Sequence, residues 1–203
     1  MSDTNHQGSR FIKACRLFDE ANLRDPNKVT CEGVEYPHEY IYSRWLTQWV
    51  QKLAPDASEA LLLAARCQHL KRWEIPRNTY PMNRPGYLKW RTDLKKFHAQ
   101  QAAAILAQAG YAQPLIERVQ ALNLKQNIKH DPECQTLEDA LCLVFLEHQF
   151  EAFMQKNNDE AKMIGILQKS WKKMSEAGHQ AASQLRFPDA GQAIIRRAIE
   201  NED

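Results

Sequence analysis

Two apolar runs at helical spacing constrain the fold of this chain more than any other feature. The first is Ala60 to Trp73 (ALLLAARCQHLKRW) and the second is Thr136 to Phe153 (TLEDALCLVFLEHQFEAF). Apolar residues cover most of the circumference of the second run, which is typical of a helix buried on nearly all sides. The first run ends in polar and cationic residues, Gln68, His69 and Arg72, which packing alone does not explain. We therefore expect the C-terminal end of the helix formed by Ala60 to Trp73 to face a functional site.

The rest of the chain also favours helices. Its 203 residues include only seven glycines and no Asn-Gly or Asp-Gly hairpin dipeptide. This length suits one domain, and the sequence predicts a single all-α bundle of about eight or nine helices over residues 1–203. The predicted helices are Ser9–Ala21, His38–Leu53, Ala60–Trp73, Pro85–Ala109, Pro114–Leu124, Thr136–Phe153, Asp159–Met174, Glu176–Leu185 and Pro188–Glu200. We expect the last three, over residues 159–200, to pack against the bundle without carrying chemistry. Long loops are predicted at Asn22–Tyr36 and Trp73–Pro85.

Composition narrows the class of protein. The 27 basic and 25 acidic residues give a formal charge of +2, so bulk charge does not predict nucleic-acid binding. The polar N-terminus lacks the apolar segment of a secretory signal, and no apolar run reaches the roughly 18 residues that span a bilayer. The five cysteines form no CxxC pair, which is typical of reduced thiols. These features predict a cytoplasmic protein without membrane contact.

A basic segment with interleaved Trp and Tyr follows the first apolar run. Arginines next to aromatic rings suit an anionic ligand such as a phosphate group or a nucleotide. Stacking rings among cations would also suit single-stranded RNA, but the near-neutral net charge favours a small ligand. For any one of these charges, a solvated surface position is the alternative. The candidate phosphate-binding residues are Gln68, Arg72, Arg77 and Arg91, and Glu74 beside them is a candidate general base.

Five candidate metal ligands lie on four predicted helices: His38, His69, His98, Asp139 and Glu147. His38 begins one helix and His69 ends the next, so a short connection brings both to the same end of an antiparallel pair. Asp139 and Glu147 are eight residues apart, about 80° around a helix axis, and can border one pocket. Imidazoles and carboxylates from separate helices are typical of metal sites for Zn, Fe or Mn. Structural roles, such as an Asp that interacts with a helix dipole, are the alternative.

The order of these residues resembles the HD-domain superfamily over about residues 38–153. A His begins one helix, a polar doublet ends an Ala/Leu-rich helix, a further His precedes AQQAAAIL, and an Asp lies in a later apolar helix. The resemblance implies a helical, metal-dependent phosphohydrolase. It places His38 at the first His, Gln68-His69 at the His-Asp doublet, His98 at the auxiliary His and Asp139 at the final Asp.

Two departures from that pattern affect the metal site. The doublet here is Gln-His, so the superfamily's metal-bridging Asp is missing. Asp139 also stands one residue before the position that matches the superfamily's Ala-Asp pair. We therefore expect one divalent transition metal ion, or none, instead of a two-metal centre.

Longer motifs resemble the domain-of-unknown-function 4202 family over nearly the whole chain. They are YPHEYIYSRWL, RCQHLKRWEIPR, YPMNRPGYLKWRTDLKKFHA and EDALCLVFLEHQF. The family name implies no activity. Some members carry the label glutamyl-tRNA synthetase, which this chain does not support, because it is short and lacks the alternating βα pattern of a Rossmann core.

The sequence thus predicts a divergent HD-like, metal-dependent phosphohydrolase that acts on a nucleotide or another small phosphorylated compound. His38, His69 and either Asp139 or Glu147 would hold the metal ion, which lowers the pKa of a bound water molecule. Two alternatives stay open. One is a non-catalytic module that senses a nucleotide or phosphate through the same basic pocket, and the other is an RNA-binding protein.

Overall fold

The computed structural model describes residues 3–128, 130–156, 159–187 and 189–200. This part of the chain contains ten α-helices and one two-stranded hairpin, so the predicted all-α class is confirmed. The elements in chain order are α1 (Asp3–Asn22), β1 (Lys28–Cys31), β2 (Val34–Pro37), α2 (His38–Leu53), α3 (Glu59–Cys67), α4 (Arg84–Ala109), α5 (Gln113–Leu124), α6 (Pro132–Val144), α7 (Phe150–Lys156), α8 (Glu160–Trp171), α9 (Glu176–Ser183) and α10 (Asp189–Glu200). None of the described helices is long and apolar enough to cross a lipid bilayer.

Three short elements complete the fold. Two 3₁₀ turns, Arg72–Glu74 and Arg77–Thr79, lie between α3 and α4. The segment Phe145–Gln149 is π-helical and joins α6 to α7. A single turn of π-helix inside a longer helix holds one extra residue and is frequent at functional sites.

The predicted loop at Asn22–Tyr36 contains a hairpin that the sequence did not predict. β1 and β2 pair antiparallel from Lys28 opposite Pro37 to Cys31 opposite Val34. The two residues of the turn, Glu32 and Gly33, have φ angles of 51° and 79°, as two-residue hairpin turns require. The strands are only four residues long, and Glu-Gly is not among the strongest turn dipeptides, so the pattern was weak.

The boundaries of several helices differ from the predicted ones, and α1, for example, begins at Asp3 instead of Ser9. α3 ends at Cys67 instead of Trp73, because the chain turns there: Lys71 has a φ of 55° and donates its backbone N–H to the side-chain oxygen of Asn22. α6 begins at Pro132, where Asp131 accepts from the first backbone N–H groups, four residues before the predicted start. The predicted first residue of the last helix, Pro188, lies outside the described residues.

α3 lies at the centre of the core. It packs against α1, α2, α5 and α6, and Leu61, Leu63 and Ala64 on it are buried. Six of its nine residues are buried, as its nearly uninterrupted apolar sequence predicts. Because a helix buried on all sides is fixed by its neighbours, the turn that follows α3 has a defined position, and this turn carries Gln68 and His69.

Candidate functional site

A cavity of about 720 Å³ lies between α4, the continuous helix formed by α6, the π-helical segment and α7, and α8. The turn after α3 and the end of α5 also contribute to its wall. The residues of α4 that line it recur on one helical face. These residues are Tyr87, Arg91, Leu94, Lys95 and His98.

The wall of this cavity is strongly cationic. Its seven Lys and Arg residues are Arg72, Arg91, Lys95, Lys125, Lys162, Lys169 and Lys173. Among the described residues, the one carboxylate in the wall is Glu138. Glu138 pairs with Lys125 and lies 3.6 Å from the Nζ of Lys173. Burial raises the pKa of Glu138, but Lys125, Lys173 and Lys95 outweigh it and lower the pKa, so Glu138 stays ionised. A cavity with this charge suits an anionic ligand.

Two neutral histidines lie at the α3 side of this cavity. The Nδ1 of His98 donates to the backbone oxygen of Leu70 at 2.8 Å, and its Nε2 is buried without a hydrogen-bond partner. The ring of His69 stacks on Tyr42 at 4.3 Å and lies 5.8 Å from that of His98. Burial lowers the pKa of His69 to about 4 and that of His98 to about 3. Each ring therefore keeps one nitrogen lone pair at neutral pH.

Glu39 is the buried acid of this cluster. One of its oxygens lies 3.2 Å from the Nδ1 of His38 and 3.8 Å from the Nε of Arg72, and the other lies 3.4 Å from the Nδ1 of His69. Burial raises the pKa of Glu39, but the neighbouring imidazoles of His38 and His69 outweigh it and hold the pKa far below its usual range. Its hydrogen bond with Glu39 raises the pKa of His38. Glu39 is thus an anion between two imidazoles and a guanidinium.

The sequence did not predict Glu39, although it carried a signal. Glu39 is followed at helical spacing by the buried residues Tyr42, Ser43 and Leu46, so it occupies the core face of α2. A carboxylate on a core face requires a partner. Glu39 also lies in the first turn of α2, where an acidic residue commonly interacts with the helix dipole, so the sequence alone did not single it out.

The structure brings three of the five predicted metal ligands, His38, His69 and His98, close to Glu39 or to one another. Among the described residues, the one group of three potential ligands with mutual distances within 4.8 Å is Asp25, His38 and Glu39. Asp25 is already engaged, since its oxygens accept from the backbone and side chain of Asn27 and from the backbone of Glu39. Asp25 therefore braces the start of α2.

The two predicted carboxylate ligands lie elsewhere. Asp139 accepts from the backbone N–H and hydroxyl of Ser175 at 2.8 and 2.5 Å and from Gln135 at 2.8 Å, which fixes the start of α9. Glu147 accepts from the indole of Trp49 at 2.7 Å and lies 3.1 Å from the Nε2 of His148. Neither residue lines the cavity. The predicted shared pocket assumed one regular helix, whereas Glu147 lies in the π-helical segment.

Of the predicted phosphate-binding residues, Gln68, Arg72 and Arg91 line the cavity. Gln68 is buried and its side-chain oxygen has no hydrogen-bond partner. Arg77 instead donates to the backbone oxygens of Tyr80 and Pro81 and so braces the loop before α4.

The predicted general base, Glu74, lies in a 3₁₀ turn outside the cavity wall. Its carboxylate is 3.9 Å from the Nζ of Lys71, and its side chain is 44% exposed. The structure therefore gives Glu74 no contact with the place where a ligand would lie.

The helix α8, which was expected only to pack, contributes to the cavity wall. Lys162, Ile166, Lys169 and Ser170 line the cavity from this helix, at the spacing of one helical face. Opposite them lie apolar and aromatic residues of the helix that contains the π-helical segment. These are Leu141, Phe145 and Phe153. The lysine spacing was visible in the sequence, but nothing local indicated which way this face would turn.

Comparisons with known proteins give one result. The family model of a domain of unknown function, DUF4202, matches residues 12–195. The comparisons found no similar curated protein and no similar solved structure. The matched span contains the whole cavity and the histidine cluster. The resemblance to the HD-domain superfamily rests on the residue order alone and stays a prediction.

Proposed function

Since the chain belongs to the DUF4202 family, whose description names no activity, we propose its function from the cavity itself: it binds a nucleotide or another small phosphorylated compound and hydrolyses a phosphate ester. One observation carries this proposal. Among the described residues, seven Lys and Arg side chains face a single carboxylate in a cavity that ends at two neutral imidazoles. Cations bind the phosphate, and imidazoles supply the groups that activate water.

The shape of the site supports a small ligand. Arg72 and Arg91 offer planar guanidinium groups beside His69, and such groups bind phosphate through paired hydrogen bonds. Phe145 and Phe153 form an apolar wall on which the organic part of a nucleotide can stack. Because these groups line a concave cavity between helices, they suit a small compound better than an RNA strand, which needs an extended cationic surface.

The histidines fit one divalent transition metal ion such as Zn, Fe or Mn. Metal-binding imidazoles are oriented by an acceptor at the other ring nitrogen. The Nδ1 of His98 faces the backbone oxygen of Leu70, and the Nδ1 of His69 faces Glu39. His69 and His98 would hold the ion, with His38 and Glu39 beside them. When bound, the metal ion supplies a water molecule of lowered pKa.

A lone pair that binds a metal ion cannot also accept a proton, so His69, supported by Glu39, is the general base, in place of Glu74, in the form of the site without a metal ion. A neutral imidazole with a carboxylate at its other nitrogen is the arrangement by which many hydrolases accept a proton from a nucleophile. His69 lines the cavity, remains neutral at pH 7 because its pKa is about 4, and lies 3.4 Å from Glu39.

A second candidate function is phosphate sensing without turnover. It is favoured by one observation: in the described part of the chain, no carboxylate lines the cavity next to the two histidines, since Glu138 is held by Lys125 and Lys173. With only two imidazoles as protein ligands, metal binding would be weak. The same cations would then bind a nucleotide that is released unchanged.

The test uses the purified chain, prepared without chelator. Elemental analysis would measure bound Zn, Fe and Mn, and a panel of phosphorylated compounds would be assayed for phosphate release with each metal. We expect about one metal ion per chain, and we expect His69→Ala to lose the metal and to lower the release rate by about 100-fold or more. The control is His130→Ala, an exposed histidine outside the cavity wall, which should change neither.

Two results would contradict the hydrolase. Protein that takes up no metal and releases no phosphate, but binds a compound of the panel, would establish the sensing function instead. Protein that binds no compound would contradict both.

All five cysteines are free, which supports our further proposal that the protein works in the reducing cytoplasm. The assays should therefore contain a thiol reductant.

A further inference from the structure

Five of the seven cations of the cavity form two groups, each with its own carboxylate. The first group is Arg72 and Arg91, beside His69. Arg72 lies 3.8 Å from Glu39, and both arginines contribute to the lowered pKa of His69. Glu39, which does not itself line the cavity, therefore offsets part of this charge. A formal charge of about +1 remains beside the histidines.

The second group is Lys95, Lys125 and Lys173, around Glu138. Lys125 and Lys173 pair with different oxygens of Glu138. These lysines come from α4, the end of α5 and the segment after α8, so the fold brings them together from distant parts of the chain. Three ammonium groups face one carboxylate, which leaves a formal charge of about +2.

Lys95 shows that the second group lacks an anion. It is half-buried and has no hydrogen bond or ion pair with the described residues. Burial, then the charges of Lys125 and Arg91, lower its pKa, and Glu138 offsets this only in part. An unpaired cation that is partly buried among other cations is destabilising unless a ligand compensates for it. Such residues in a cleft mark binding sites.

We propose that the ligand of this cavity carries at least two phosphate groups, one bound by Arg72 and Arg91 beside the histidines and one bound by Lys95, Lys125 and Lys173. This inference rests on the proposed function, because it specifies the ligand of the same site. A phosphate monoester carries about −1.5 to −2 charges at pH 7, so one phosphate cannot neutralise both groups. Arg91 and Lys95 lie on successive turns of α4, about 6 Å apart along the axis, so the groups are adjacent but distinct.

The apolar wall completes this ligand class. Leu141, Phe145, Phe153 and Ile166 also line the cavity, so an organic group can lie against them while both phosphates face cations. A nucleoside diphosphate and a nucleoside bisphosphate both meet these conditions. They differ in whether the two phosphates are joined to each other or attached at separate positions of the ribose.

The test is calorimetric titration of the full chain at constant ionic strength with orthophosphate, pyrophosphate, AMP, ADP and adenosine 3′,5′-bisphosphate. We expect pyrophosphate to bind at least about tenfold more tightly than orthophosphate, and one two-phosphate nucleotide to bind at least about tenfold more tightly than AMP. A preference for ADP and a preference for the bisphosphate would both support the proposal, and they distinguish joined from separate phosphates.

Three variants show whether this preference comes from the two groups. Arg91→Gln and Lys95→Gln should each reduce it to less than about threefold, since each removes a cation from one group. Lys96→Gln is the matched control, because Lys96 is the next residue of α4, carries the same charge and is exposed outside the cavity wall. It should leave the preference unchanged. An equal loss in Lys96→Gln, no preference in the unmodified chain, or no binding at all would overturn the proposal.

The titration measures binding alone, so its result is independent of turnover. Tight binding of two-phosphate probes without phosphate release would support this inference and contradict the hydrolase. Hydrolysis of monophosphates without any preference for a second phosphate would support the hydrolase and overturn this inference.

Discussion

The regions around Glu39 and Asp139 contain two carboxylates that are equally buried, 4% and 2% exposed, yet differ in their partners. Asp139 accepts hydrogen bonds from neutral donors, Ser175 and Gln135. Glu39 faces titratable groups, His38, His69 and Arg72, and its oxygen towards His69 has no hydrogen bond. Burial therefore does not distinguish Glu39, for which we propose a functional role, from the structural acid Asp139, whereas the chemistry of their partners does.

The two acids also differ in how closely neighbouring residues pack around them. A Cβ atom placed on Gly178 would lie 2.9 Å from the carboxyl carbon of Asp139, so α9 packs too closely for a ligand to reach this acid. Glu39 instead adjoins His69, which lines the cavity. Isosteric amide variants of the two acids should consequently change different properties of the protein.

Glu39→Gln should have the largest effect. We expect the rate of phosphate release to fall by about 100-fold, because the neutral amide no longer holds the imidazole of His69 in the orientation and tautomer that an anion imposes. Steady-state kinetics with the substrate found by screening would measure this change, with Glu74→Gln as a control that should stay within about twofold. A normal rate in Glu39→Gln would place the chemistry outside this cluster.

Asp139→Asn should affect stability instead. Its amide oxygen can still accept from the N–H of Ser175 and from Gln135, but the amide nitrogen replaces the oxygen that accepts from the hydroxyl of Ser175, and the negative charge is lost, so we expect the free energy of unfolding to fall by about 2 kcal/mol. Urea denaturation measures this loss. The release rate of the folded protein should remain within about twofold of normal. Unchanged stability with lost activity would make Asp139 the metal ligand that the sequence predicted.

The free energy of unfolding should depend on pH through His98, one of the two neutral histidines of the cavity. The pKa of His98 is lowered by burial from 6.5 to about 3, so between these values the unfolded chain binds a proton that the folded chain does not. Stability therefore falls as the pH decreases from about 6.5, with about 1.4 kcal/mol per pH unit from this residue.

The variant His98→Asn isolates that contribution. Its free energy of unfolding, measured from pH 6 to pH 4.5, should decrease less steeply by about 1.4 kcal/mol per pH unit. His69 acts in the same direction, and His38, whose raised pKa stabilises the fold at low pH, acts in the opposite one. Both are present in the two proteins and cancel in the difference. Parallel curves would mean that His98 is protonated in the fold.

Glu147→Gln should have the smallest effect. Glu147 accepts from the indole of Trp49 and is 34% exposed, so we expect a loss of about 1 kcal/mol or less in the free energy of unfolding. The amide oxygen can still accept this hydrogen bond. Metal content and release rate should not change, and a loss of metal in this variant would restore Glu147 to the ligand set.

The parts of the fold that the sequence predicted well are those with local signals. Pro37 precedes α2, and Gly110, with a φ of 94°, ends α4, so both boundaries were predicted correctly. The hairpin and the turn at Lys71 were missed because their residues carry weak turn signals. The turn is fixed by a hydrogen bond to Asn22, which is 49 residues away.

The residues of the site also fall into those that the sequence indicated and those that it did not. His69, His98 and Arg72 interrupt apolar runs, and such interruptions are visible in a sequence. The role of Asp139 depends on Ser175, 36 residues away, and the contribution of Lys169 depends on how α8 packs. Contacts of this kind arise only when helices assemble, so helical periodicity does not predict them.

The π-helical segment Phe145–Gln149 lies within the continuous helix from α6 to α7. The number of residues in this segment therefore decides which side chains face the cavity, as much as their identity does. On one side Glu147 and His148 meet Trp49 and Trp45, and on the other Phe145 and Gln149 line the cavity. Deleting a single residue here would rotate everything that follows by about 100° about the helix axis and turn Phe153 away from the cavity. A relative with a one-residue gap at this point would keep every cation of the site and still lose its apolar wall.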